Sequence, residues 1–124
     1  MVTILIVEDE VFIRGTAEFT IEDLGHDVLL ACDVGEAHSH LRSSRGIDAL
    51  FVDMRLSATA LAGYEIANEA IRLRPELRVL YTSGSPLTDE MTDQFVSGGQ
   101  FLQKPYSPAQ LESSVGALLQ CEPR

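Results

Sequence analysis

Glu8, Asp9, Asp53, Ser83 and Lys104 lie far apart in the chain, yet each stands at or just past the end of an apolar run. Val2–Val7 runs into Glu8-Asp9, Ala49–Val52 into Asp53, Val79–Tyr81 into Thr82-Ser83, and Phe101-Leu102 into Lys104-Pro105. If these runs are neighbouring parallel strands, three carboxylates, a hydroxyl and an ammonium meet at one edge of one sheet. Two unit charges about 4 Å apart repel by roughly 4 kcal/mol at an effective dielectric near 20, so three clustered carboxylates need a cation. An all-oxygen donor set suits Mg²⁺, which keeps several waters and takes one or two carboxylates plus a phosphate oxygen. A carboxylate is also a nucleophile that can form an acyl phosphate. A cation such as Lys104 and a donor such as Ser83 can then stabilise the remaining phosphoryl oxygens.

The elements that must position these groups are legible in the periodicity. Val2–Val7 is continuously apolar, as a strand buried on both faces should be. Residues 10–24 place Ile13, Ala17, Ile21 and Leu24 on one helical face, and Gly25 ends that helix. Asp27–Ala31 is a second strand. Asp33-Val34-Gly35-Glu36 opens the next helix with an acidic cap and a glutamate three residues on. Asp48–Val52 is the third strand, and a helix from about 63 to 73 is stopped by Pro75 after Arg74. Leu77–Thr82 is the fourth strand. The helix after Ser85-Pro86 carries Asp89 and Glu90 at the positive end of its dipole. Gly98-Gly99 leads into a fifth strand, Gln100–Gln103, and Ser107-Pro108 starts a last helix with Leu111, Val115, Leu118 and Leu119 on its buried face. Five alternations of strand and helix predict a parallel sheet with helices on both faces and right-handed crossovers. For strand order 2-1-3-4-5 the order reverses between strands 1 and 3, where ligands bind beyond the strand ends. Glu8-Asp9 and Asp53 flank that point.

Composition narrows the function. A chain of 124 residues is one domain, expected to span 1–124 with no output domain after it. With 9 basic against 19 acidic residues, net −10, it is a poor ligand for a nucleic-acid backbone or an anionic membrane. The acidic excess favours protein partners with a basic face. No apolar stretch approaches the roughly 20 residues of a membrane span. Thr3–Val7 is too short for a signal peptide and has no basic leader. Cytoplasmic location is the expectation, with Cys32 and Cys121 as reduced thiols lacking metal-type spacing.

Taken together, Ile4-Leu5-Ile6-Val7-Glu8-Asp9-Glu10, Phe51-Val52-Asp53-Met54-Arg55-Leu56, Leu80-Tyr81-Thr82-Ser83-Gly84 and Phe101-Leu102-Gln103-Lys104-Pro105-Tyr106 resemble the receiver domain of two-component response regulators. The resemblance covers essentially the whole chain. It implies a flavodoxin-like doubly wound (βα)5 fold. It implies that Asp53 is the phosphoacceptor and that Asp9 binds Mg²⁺ directly. Glu8 would act through a water or at longer range, and the backbone carbonyl of Arg55 would complete the metal site. Ser83 would be the hydroxyl that moves toward the phosphoryl group, with Thr82 beside it as the competing candidate. Lys104 would pair with a phosphoryl oxygen across a cis Lys104–Pro105 bond. Phe101 would be the aromatic switch, and the side chains of Arg55 and Ser85 would tune dephosphorylation. The first acid is Glu8 where Asp is more usual. The proline and glycine usual soon after the strand-3 Asp are missing, so Ser57–Ala62 leaves the entrance to the third helix open.

Other residues have plainer readings. Asp33 is a helix cap. His26, His38 and His40 lack ligand spacing and read as surface histidines. Phe12 and Phe19, seven apart on the first helix, either help dock a phosphodonor's helices or pack at the margin of the core. From Gln94 to Cys121 the only charged side chains are Lys104 and Glu112, which marks a neutral face, carrying Tyr106 and Gln110, for a protein partner. The expected function is a phosphoacceptor switch, either a stand-alone receiver or a piece of a hybrid kinase. Its donor would be a histidine kinase or histidine phosphotransfer protein, and its output a downstream protein target or onward phosphotransfer. It would not be an enzyme beyond its own phosphorylation and dephosphorylation. The alternatives are a receiver-like binding module that is never phosphorylated and a Mg²⁺-dependent aspartyl phosphatase. A flavin role is disfavoured, because the loop after strand 1 offers acids where a phosphate needs donors.

Overall fold

The structure, a computed structural model, describes residues 2–56 and 60–120. Five strands alternate with five helices: β1 (Thr3–Val7), α1 (Val11–Asp23), β2 (Asp27–Ala31), α2 (Val34–Arg42), β3 (Ala49–Asp53), α3 (Ala62–Leu73), β4 (Arg78–Ser83), α4 (Asp89–Gln94), β5 (Gln100–Gln103) and α5 (Pro108–Gln120). The strands form one sheet in the order β2-β1-β3-β4-β5, and every pairing is parallel. This is the flavodoxin-like arrangement expected from the alternation.

Period-two alternation of side chains divides the core into two layers. Leu5, Val7, Leu50, Val52, Val79 and Tyr81 face Ala37 and Leu41 of α2 and Ile66, Ala67 and Ala70 of α3. Ile4, Ile6, Ala49, Phe51 and Leu80 face Ala17 and Ile21 of α1 and Leu111, Val115 and Leu118 of α5. The β1, β3 and β4 runs are apolar at successive positions because both faces are covered.

The ends of elements have local causes. Gly25 takes φ +97 and lets the chain leave α1. Leu24, expected on the buried stripe, is 39% exposed, because the helix stops at Asp23 and Leu24 is already part of the turn. Asp33 caps α2, its Oδ1 accepting from Glu36 N at 2.8 Å, and Glu36 Oε1 accepts from Cys32 N at 2.7 Å. The reciprocal bond thus falls one residue ahead of the cap. Asp48 is not in β3: its carboxylate accepts from Thr3 N at 2.9 Å and closes the opposite edge of the sheet. The segment 57–59 lies outside the described residues, so the expected Ser57–Ala62 departure is described only from residue 60.

Gly63 is the residue that lets α3 start where it does. A Cβ there would lie 2.5 Å from Met54 Cα and 2.8 Å from Asp53 O, while Gly63 N donates to Met54 O at 3.0 Å. The helix therefore begins in backbone contact with the end of β3, and backbone cannot step aside as a side chain can. Gly63→Ala is expected to lower stability by about 2 kcal/mol or more through overpacking, read as a fall in the urea midpoint at unchanged slope.

Candidate functional site

Strand register brings the sequence-distant residues to one edge. Val7 pairs with Val52, so Glu8 and Asp9 leave the sheet beside Asp53, the last residue of β3. Asp53 pairs with Thr82, and Ser83 with Gln103, so Ser83 and Lys104 leave the same edge on the far side of Asp53. Lys104 N donates to Ser83 O at 2.8 Å, and the Lys104–Pro105 bond is cis. An opening of about 390 Å³ is lined by Glu8, Asp9, Asp53, Ser83 and Lys104, together with Arg55 and Ser85.

The charges are unevenly balanced. Lys104 Nζ lies 2.7 Å from Glu8 Oε1 and 2.8 Å from Asp53 Oδ2, and both carboxylates are largely buried. Carboxylate oxygens of Glu8, Asp9 and Asp53 fall within 4.8 Å of one another. Burial pushes the Glu8 carboxyl up to about 7, the bond from Lys104 opposes that rise, and the Asp53 charge adds to it. Burial works against the Lys104 ammonium, but its bonds to Asp53 and Glu8 outweigh this and raise it. Around the opening Glu8, Asp9, Glu10 and Asp53 outnumber Lys104 and Arg55, which leaves a local deficit of positive charge. The oxygen donors and their spacing fit Mg²⁺, with room at the opening for the waters that ion retains. The donor set includes no nitrogen or sulfur that would favour a softer metal.

The neighbours of these groups differ in commitment. Thr82 is buried, and its hydroxyl donates to Leu102 O at 2.7 Å inside the β4–β5 pairing. Ser83 is half-buried, faces the opening, and its Oγ accepts from Ser85 N at 3.1 Å. Of the two hydroxyls, Ser83 is the one at the opening that Asp53 also lines. Arg55 N donates to Asp53 Oδ1 at 3.2 Å, so the backbone two residues past Asp53 curls over its carboxylate. Phe101 is half-buried in the α2/α3 layer, its ring 6.3 Å from that of Phe95. Phe95 in turn stacks at 4.0 Å on Tyr81, whose hydroxyl accepts from Val96 N at 2.9 Å.

Several expectations need correction. Tyr106 does not lie on the neutral outer face: its ring packs against Phe51 in the α1/α5 layer, because the turn at Pro105 returns it to the sheet. The three histidines are half-buried rather than on the surface. His26 Nδ1 accepts from Val2 N, and His40 Nε2 contacts Leu30 O at 2.9 Å. The alternatives for α1 are resolved against core-margin packing, since Phe12 is 81% and Phe19 73% exposed. Phe12 borders a second groove of about 530 Å³ shared with Thr16, Gly84, Lys104, Pro105 and Tyr106. Cys32 is a free, half-buried thiol, and Cys121 lies outside the described residues. Sequence reasoning missed Gly63 and the inward place of Tyr106. The available signals were a glycine ten residues past Asp53 and an aromatic directly after Lys104-Pro105.

The family model described as response regulator receiver domain matches residues 4–116. The response regulator receiver protein of Sinorhizobium medicae WSM419 superposes with TM-score 0.86 at 30% identity, covering 97% of this chain and 95% of that one. The receiver domain of NtrX from Brucella abortus does so with TM-score 0.83 at 28% identity, covering 96% and 99%. Protein PilG of Pseudomonas aeruginosa is 27% identical over 119 residues, 92% of this chain and 84% of PilG. The probable transcriptional regulator ycf27 of Porphyridium aerugineum is 28% identical over 116 residues, 94% of this chain and 47% of that protein. The chain thus spans about half the length of the ycf27 relatives it matches.

Among the described residues, no helix is long and apolar enough to cross a membrane. Lys104→Met would leave Glu8 and Asp53 buried without their cation. In the metal-free protein at pH 8 it is expected to cost about 3 kcal/mol. The loss should shrink at pH 5.5, below the raised Glu8 value, where Glu8 takes a proton and the uncompensated charge falls. Urea unfolding of wild type and variant at the two pH values measures both effects.

Proposed function

This chain belongs to the response regulator receiver domain family, and on that premise we propose that Asp53 accepts a phosphoryl group from a phosphohistidine on a histidine kinase or histidine phosphotransfer protein. The observation carrying the reading is the Lys104 ammonium bridging Glu8 Oε1 and Asp53 Oδ2, with Asp9 close by. Asp53 attacks phosphorus through a carboxylate oxygen. The bond from phosphorus to the donor imidazole nitrogen breaks, that nitrogen keeps the electron pair, and an aspartyl phosphate forms. Lys104 holds one phosphoryl oxygen and the Ser83 hydroxyl donates to another, so charge building on the equatorial oxygens meets fixed donors. A Mg²⁺ held by Glu8, Asp9, Asp53 and the Arg55 carbonyl would supply positive charge to offset the repulsion between the carboxylate and the incoming phosphoryl group. Dephosphorylation is attack of water on phosphorus opposite the Asp53 oxygen, which releases phosphate and restores the carboxylate. The side chains of Arg55 and Ser85 flank that approach and set its rate.

The output follows from the same edge. A phosphoryl group on Asp53 draws Ser83 toward it, and Phe101 turns inward as the end of β4 moves. The face of α4, β5 and α5, acidic on α4 through Asp89, Glu90 and Asp93 and nearly neutral from Gln94 onward, then changes shape for a protein partner or for onward phosphotransfer. Exposed Phe12 and Phe19 on α1, with the apolar groove beside Lys104, support docking of the donor's helices on that side.

Beryllofluoride with Mg²⁺ mimics the phosphoryl group. Wild type should show amide chemical-shift changes at Ser83, Lys104 and Phe101 that require both components, and Asp53→Asn should show none. Steady turnover of a generic phosphoester by wild type would instead support an aspartyl phosphatase. The double variant Phe12→Ala, Phe19→Ala should lower kcat/KM for transfer from a cognate protein donor by roughly 10-fold, about 1.4 kcal/mol of docking energy. The rate with the small donor acetyl phosphate should stay unchanged.

A further inference from the structure

Tyr106 follows the Lys104–Pro105 step and folds back onto the sheet, its ring centroid 5.9 Å from that of Phe51. Phe51 precedes Asp53 by two positions, so the two point to the same face of β3. Glu8 continues the alternation of Ile4 and Ile6, which face that same α1/α5 layer. The Tyr106 hydroxyl oxygen is buried, and it is the one buried hydroxyl among the described residues with no hydrogen-bond partner. Burial, then the charges of Glu8 and Asp53, hold the phenol well above its ordinary range. It is therefore a permanent donor in the field of two carboxylates. Buried hydroxyls in folded proteins are nearly always paired, and an orphan beside a reactive site asks what it pairs with in another state.

The Lys104 contacts supply the answer. Glu8 is 3% exposed, and its two oxygens have one described partner each, Lys104 Nζ on Oε1 and Glu10 N on Oε2. If Asp53 is the phosphoacceptor, as read above, a phosphoryl group there competes with Glu8 for the Lys104 ammonium that now bridges both carboxylates. Glu8 Oε1 then loses its ammonium in a place water scarcely reaches. The cation that Glu8 would share with Asp9 and Asp53 offsets charge but donates no hydrogen bond, and a buried carboxylate oxygen left without a donor is unfavourable. We propose that Tyr106 is a positioning residue for Glu8, its hydroxyl donating to the Glu8 carboxylate once Lys104 turns toward a phosphoryl group on Asp53. The phenol would keep Glu8 in place while the ammonium works elsewhere. It would do so only in the phosphorylated state, which is why it has no partner in this one.

Tyr106→Phe removes only the hydroxyl and keeps the ring against Phe51. Metal-free Tyr106→Phe is expected to unfold at the wild-type urea midpoint or above it, because the deleted group was unpaired. Its Mg²⁺-dependent beryllofluoride affinity should fall about 10-fold, the usual effect of one lost hydrogen bond to a charged group. Wild type should also gain a red-shifted tyrosine absorption band on adding both components, and Tyr106→Phe should lack it. A hydroxyl with a merely structural role would lower the metal-free midpoint and leave affinity and spectrum alone, and that result would overturn the assignment. So would equal beryllofluoride affinity in the two proteins. Absence of any Mg²⁺-dependent response in wild type would overturn the phosphoacceptor reading and this assignment together, and the wild-type control tells the two failures apart.

Discussion

One ammonium holds the business edge of this molecule together. Lys104 Nζ reaches Glu8 Oε1 at 2.7 Å and Asp53 Oδ2 at 2.8 Å, tying the ends of β1, β3 and β5 at a single point. Burial drives the Glu8 carboxyl toward its neutral form, and the bond from Lys104 opposes that drive. Bridged by one lysine, the two carboxylates do not force the strand ends apart. The balance is incomplete: Glu8, Asp9, Glu10 and Asp53 line the opening against Lys104 and Arg55. That shortfall is what makes the edge chemically responsive rather than a settled ion-pair network.

The rest of the fold serves this edge by geometry. A parallel sheet covered on both faces puts every strand C-terminus on the same side, so residues separated by dozens of positions converge without any long loop. Backbone contact between Gly63 and Met54 carries α3 close against the end of β3. Thr82 spends its hydroxyl on Leu102 O and so locks β4 to β5, while its neighbour Ser83 remains available at the rim. Adjacent hydroxyls on one strand point to opposite faces, and that alternation separates the hydroxyl committed inside the sheet from the one at the rim.

The two layers beneath the edge have different characters. On the α1/α5 side the acids sit over Phe51 and Tyr106, a compact floor that isolates their charge. On the α2/α3 side a run of rings, Tyr64, Tyr81, Phe95 and Phe101, links α3, β4, the end of α4 and β5. The Tyr81 hydroxyl accepts from Val96 N, and a Cβ on Gly99 would come within 2.8 Å of the Tyr81 ring, so the connection after α4 is moulded onto this run. Ser83 lies two residues beyond Tyr81 on the same strand. The stacked rings thus join the strand that carries Ser83 to the end of α4 and to β5 in one closely packed unit.

Much of this was written in the chain itself. Runs rich in β-branched and apolar residues identified β1, β3 and β4 because a strand buried on both faces has few positions for a polar residue. The groups directly after those runs identified the site, because the end of a parallel strand is the one place where a buried element can present polar chemistry. Glycine, proline and acidic caps set the helix ends through local sterics and local hydrogen bonds, which act between residues a few positions apart. What remained for the tertiary structure were questions of distance between elements: whether Thr82 or Ser83 faces the opening, whether Phe12 and Phe19 are covered, which face receives Tyr106, and why α3 needs a glycine at its start. None of these is encoded by periodicity, since an aromatic ring has the same local pattern whether a neighbouring helix covers it or not. They are settled only when the turn at Pro105, the register of five strands and the placement of two helix layers decide which atoms meet.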